Sequence, residues 1–149
     1  MFVMLLITLV AVGAAVAAWL RPMPHATSAA LSAPTYSEQQ VSDAKSKTCA
    51  AFEKVLNTSS RNSAPAVGDD PNSQLLISVN QRQVFVISSA YLLTTLNEQP
   101  ATPPDLAATV KSLADIYQVI TLDGLVGDRN DPGHHAANET GFKIQELCK

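Results

Sequence analysis

The stretch SEQQVSDAKSKTCAAFEKVL, residues 37–56, decides the fold. Ser37 followed three residues later by Gln40 has the pattern of a capping box. In that motif the Ser oxygen accepts from the N3 amide and the Gln side chain reaches back to the Ser amide. From there Val41, Ala44, Thr48, Phe52, Val55 and Leu56 recur at steps of three and four, the spacing of one helix face. The pattern predicts an amphipathic helix from Ser37 to Asn57 or Thr58. Cys49 lies at the flank of its apolar stripe. Such a stripe must be buried against other elements, so the rest of the chain has to supply them.

Toward the C-terminus, SSRNSAPAVGDD (59–70) reads as a loop by its Ser, Asn, Pro and Gly content. Asp70 then Pro71 fits an N-cap followed by Pro at the first helical position, where the missing amide costs nothing. A second helix is expected to about Leu96, with Leu75, Leu76, Val79, Val86, Ala90 and Leu93 as its stripe. Its middle, QVFVI (83–87), has strand propensity, but the flanking helical period favours helix. Thr102 with Pro103 predicts a third start of the same cap-plus-proline type, with Leu106, Val110, Leu113, Tyr117, Ile120 and Gly124 on one face. GDRNDPG (127–133) interrupts again. The last segment, to Cys148, aligns Ala137, Gly141, Ile144 and Cys148, while Phe142 falls off that side. Four amphipathic segments with short connections predict an antiparallel four-helix bundle. In up-down-up-down order the end of the fourth helix returns beside the first.

That return bears on the only two cysteines, Cys49 and Cys148, the latter at the next-to-last residue. A bond between them would close a loop of about 100 residues, worth about 4–5 kcal/mol by the loop-entropy relation. It would also pin an end that otherwise frays. The competing interpretation is two unrelated buried thiols, since free Cys behaves as a small hydrophobe.

In the other direction, RPMPHATSAALSAPTY (21–36) reads as an extended linker. Before it, MFVMLLITLVAVGAAVAAWL (1–20) carries no charge, although the 149-residue chain has ten basic and thirteen acidic residues. A run of this length spans a hydrocarbon core of about 30 Å as a helix. Trp19 and Arg21 close it as interfacial anchors do. The expectation is a single-pass transmembrane anchor in contact with the lipid bilayer. A cleaved signal peptide is the alternative, with Ala15-Val16-Ala17 as its site, but no basic residue precedes the run and the run is long for an h-region. A buried core helix is a third option that an uncharged surface all round disfavours. Arg21 by itself would place the following domain inside the cell. The cysteines point the other way, because disulfides persist outside the cytoplasm. The expectation is therefore an extracytoplasmic domain over 37–149 on a cell membrane.

The apolar start, the Pro/Ala linker, YSEQQVSDAKSKTCAAFEKV (36–55), SLADIYQ (112–118) and the closing ELCK (146–149) together resemble a group of small alanine- and proline-rich single-pass membrane proteins of mycobacteria. The likeness runs from about residue 36 to the end. It implies an anchor, a helical extracytoplasmic domain and no assigned activity, and it supplies no catalytic residues.

Pointed chemistry is sparse. With a net charge of −3, nothing suggests nucleic-acid binding, which needs clustered Lys and Arg. There is no G-x-S-x-G, H-E-x-x-H, G-x-G-x-x-G or Walker loop, so no enzyme class, metal or cofactor is indicated. DRNDPGHHAANE (128–139) matches a calcium loop at Asp128, Asn130, Gly133 and Glu139, but Pro132 stands at a ligand position and the same residues suit a turn between helices. His134 and His135 would point about 100° apart on a helix and not converge on a metal. Arg82 and Gln83 lie close to the second stripe. Arg82 is either a structural side chain with its stem on apolar surface or a contact for an anionic ligand or a partner. The sequence thus predicts a structural or interaction module for a cell-envelope protein partner. The alternative is a bundle holding a lipid or small apolar ligand.

Overall fold

The computed structural model describes residues 35–62 and 71–149. They form four helices: α1 (Glu38–Asn62), α2 (Pro71–Glu98), α3 (Pro104–Leu125) and α4 (Asp131–Leu147). The anchor expected over 1–20, all but the last two residues of the linker, and the Asp70 cap lie outside the described residues. Among the described residues no helix is long and apolar enough to cross a membrane.

The capping box at α1 is formed. The Gln40 amide donates to Ser37 Oγ at 3.2 Å, and the Ser37 amide donates to Gln40 Oε1 at 2.9 Å. The helix runs past its expected stop. Thr58 and Ser60 turn their hydroxyls back to the carbonyls of Lys54 and Leu56, at 2.8 and 2.9 Å, so this polar cluster stays in the helix instead of breaking it. Thr102 does not cap α3, whose N-cap is Pro103 with no side-chain bond. Its hydroxyl donates to the Gln99 carbonyl at 2.8 Å and lies 2.9 Å from the buried Thr48 hydroxyl of α1. With the Thr102 proton committed to Gln99, Thr48 is the donor in that pair. The bond ties the α2–α3 connection to the middle of α1.

Each helix packs chiefly on its sequence neighbours, α1 on α2, α2 on α3 and α3 on α4, whereas α1 and α4 touch sparingly. The directions alternate. Lys54 of α1 lies over the Tyr91 ring of α2, and Gln118 of α3 donates to Ser89 of α2 while Arg82 reaches Gly124. The core is built from Phe52, Leu92, Leu106, Val110, Leu113 and Ile144, all buried, with Phe85 and Tyr117 at one end. Across the thin α1–α4 seam, Cys49 and Cys148 form a disulfide with a Cα–Cα distance of 5.8 Å and a sequence separation of 99. The bundle is therefore closed covalently along the edge where it packs least.

The stripe expected for α2 is not the buried one. Leu75, Leu76, Val79, Val86 and Ala90 are exposed, and of the six only Leu93 packs partly against the core. The face turned inward carries Phe85, Ser88, Ser89, Leu92 and Thr95. Phe85 and Val86 are neighbours in sequence but about 100° apart around the axis. Helix α2 is apolar on most of its circumference, so periodicity alone does not choose a side. Lying between α1 and α3, it turns in small Ser residues, which permit close approach. One of them, Ser89, accepts from Gln118 Nε2 at 3.0 Å.

Candidate functional site

Turning Phe85 inward leaves an apolar surface outward. Leu75, Leu76 and Ile87 are 61, 64 and 67% exposed. From Pro71 to Asn97 the helix has a single charged residue, Arg82. The Ser89–Gln118 bond fixes how α3 lies beside it. Leu122 and Leu125 follow Gln118 by one and two turns on the same face of α3, and both are exposed. The outer sides of α2 and α3 thus both present exposed apolar side chains at the end of the bundle away from Thr35. On its α1 side it is indented by an apolar recess of about 220 Å³, walled by Val55, Val84, Ile87 and Tyr91, with Lys54 at its edge.

A second concavity has a different chemistry. Where α1 and α4 diverge from the disulfide, a cleft of about 410 Å³ opens between them. Its floor is aromatic. The rings of Phe85 and Tyr117 stack with centroids 5.0 Å apart, and the His134 ring is tilted against Phe85 at 5.7 Å. Burial raises the Tyr117 hydroxyl above the usual phenol range, opposed by a side-chain hydrogen bond with Ser59. The walls carry Gln81, Asn138, Gln145 and the exposed ring of Phe142.

Arg82 and Gln83 do not act together. Arg82 is half-buried, and its side chain lies across Gly124, where an added Cβ would come within 3.4 Å of Nε. It lines a shallow recess of about 200 Å³ with Gln81, Phe85 and His134, whereas Gln83 is exposed on the outer apolar face. No ion pair of Arg82 occurs among the described residues.

The calcium-loop pattern is overturned by α4 itself. Asn130, at φ 45°, caps the helix: its Oδ1 accepts the Gly133 amide at 2.9 Å and its Nδ2 donates to Asp123. Asp128 Oδ1 accepts the Asn130 amide at 3.0 Å. With residues 131–147 helical, Glu139 is carried about two turns up the helix and cannot fold back on Asp128. The His pair is helical too: His134 faces Phe85 and His135 is exposed. Among the described residues no group of three or more His, Cys, Asp or Glu side chains is arranged to hold a metal.

The cleft residues were missed in sequence because their signal is a face rather than a motif. Asn138, Phe142 and Gln145 stand at i, i+4 and i+7, a polar–aromatic–polar stripe beside the core stripe of α4. No protein-family model, curated protein or solved structure matches this chain.

Proposed function

We propose that this chain is a membrane-anchored, extracytoplasmic interaction module with no catalytic role. In this reading residues 1–20 cross the bilayer, the linker gives reach, and the bundle presents the outer side of α2 and α3 to a protein of the same envelope. The observation that carries the proposal is the apolar, nearly uncharged outer face of α2. A helix of 28 residues is about 42 Å long, and a standard interface takes about 800 Å² from each partner. Leu122 and Leu125 of α3 add two more exposed apolar side chains to those of α2. Its recess between Val55 and Tyr91 suits one inserted anchor side chain, as interface hot spots do. The partner expected is a protein presenting an apolar helix, because the exposed side chains it would meet on α2 are chiefly apolar and, among the described residues, Lys54 is the one charged group at the recess edge. The disulfide supports placement outside the cytoplasm, and the resemblance to alanine- and proline-rich mycobacterial membrane proteins points the same way.

A lipid or apolar ligand inside the bundle fits less well. The core residues Leu92, Val110, Leu113 and Ile144 are fully buried against one another, and the space beside Arg82 is only a shallow recess.

The test is photo-crosslinking of the full chain in native membranes. A photoreactive residue at Leu76 or Ile87 should give one discrete protein adduct, and one at Lys143 should not. Adducts to lipid, to a second copy of this chain, or equally from Lys143 would refute the proposal.

A further inference from the structure

We propose that the cleft between α1 and α4 is a binding site for a neutral saccharide, a mono- or disaccharide unit, distinct from the apolar face of α2. Phe142 is 66% exposed on the cleft wall, so the bundle gains little from an aromatic ring there. On the same helix face it is flanked by Asn138 and Gln145, with Gln81 on α2 also lining the cleft. None of these three carboxamides makes a side-chain hydrogen bond among the described residues. Among the described residues no carboxylate, lysine or arginine lines the cleft, and His134 and Tyr117 are its titratable groups, the first against Phe85 and the second bonded to Ser59.

Each ligand class meets a different fate here. An anion or cation would find no opposite charge among the described lining residues. An acyl chain would cover three amides without pairing them, taking away their hydrogen bonds to water and returning none. A sugar satisfies both features. Its hydroxyls donate and accept, as carboxamides do, and its C–H face can lie on an aromatic ring. A volume of about 410 Å³ lies within the range of small-molecule sites and accepts a short saccharide. Gly141 keeps the cleft open: a Cβ there would stand 3.9 Å from Phe52 Cζ, so any longer side chain would project into the space a ring would take.

The experiment uses the full chain in phosphatidylcholine nanodiscs, which avoids sugar-based detergents. Saturation-transfer NMR is recorded with mannobiose, maltose, cellobiose and trehalose, with sodium laurate as the apolar comparison. At least one disaccharide should receive saturation, with its ring protons most affected. Phe142→Ala should weaken it at least tenfold and Phe142→Tyr should retain it. Gln145→Ala should weaken it several-fold and Gly141→Leu should abolish it. Leu76→Lys, on the docking face, should leave it unchanged, which separates this site from the interaction proposal. Because Phe142 is exposed, the melting temperature of Phe142→Ala should stay within about 2 °C of the parent. No transfer to any of the four sugars, transfer indifferent to Phe142→Ala, or displacement by laurate would overturn the assignment.

Discussion

Reducing the α1–α4 staple should cost this bundle a large part of its stability. The bond closes a sequence separation of 99 residues. The loop-entropy relation gives about 4.7 kcal/mol for a loop of that size. Small domains are stable by about 5–15 kcal/mol in all. The structure lowers the expected loss, because α4 remains packed on α3 and α1 on α2 when the bond is cut. Native-like contacts that survive in the reduced chain shrink the entropy difference. Cys49→Ser and Cys148→Ser should therefore each destabilise by about 2–5 kcal/mol. For a domain of this size that is a fall of about 8–20 °C in melting temperature. The double variant should be little worse than either single one, since both changes remove the same bond. Circular dichroism melts with thiol titration read the magnitude. Hydrogen exchange should localise the loosening to α4 and to the adjoining part of α1, because the α1–α4 seam has little else to hold it. Two titratable thiols in the native protein, or single variants with unchanged melting, would refute the reasoning.

Further outcomes follow from individual contacts. Thr48→Val removes the donor to Thr102 inside the core and should cost about 1 kcal/mol in urea denaturation; an unchanged midpoint would show that the inter-helix bond contributes nothing. Asn130→Ala deletes the α4 cap at a positive φ and should cost about 1–2 kcal/mol. Gly133→Ala should behave similarly, since its Cβ would come within 2.7 Å of the Asn130 side chain, and the pair of changes should be less than additive in the same melts. Tyr117 binds its proton more tightly in the folded state than in the unfolded one, through desolvation. Its contribution to stability is fully present below the unfolded pKa of about 10 and is lost as pH rises through the higher folded value. Denaturation followed against pH should show Tyr117→Phe removing part of the decline above pH 10; an identical decline in the variant would contradict this.

The sequence by itself determined the helical class, the Ser37–Gln40 cap, the core faces of α1 and α3, and which two cysteines would pair if a bond formed; that the bond is made was decided by the tertiary structure. These are legible because each is local or nearly so: a box spans three residues, a stripe repeats every turn, and two cysteines allow a single internal pairing. Even there, Thr58 and Ser60 extended α1 by bonding back to its own carbonyls, a choice that composition does not announce. Only the tertiary structure decided which side of α2 is inside. Leu75, Val79 and Val86 form as good a stripe as Phe85, Leu92 and Thr95, and hydrophobic burial is non-directional. The choice was made by the neighbours, α1 and α3, which need small residues at Ser88 and Ser89 to approach α2. The same holds for Thr102, taken from a capping role by the arrival of Thr48, and for Asp128, Asn130 and Glu139, separated once α4 begins at Asp131. The cleft is the furthest from sequence of all. It exists because α1 and α4 diverge beyond their disulfide, and that gap belongs to no single segment of the chain.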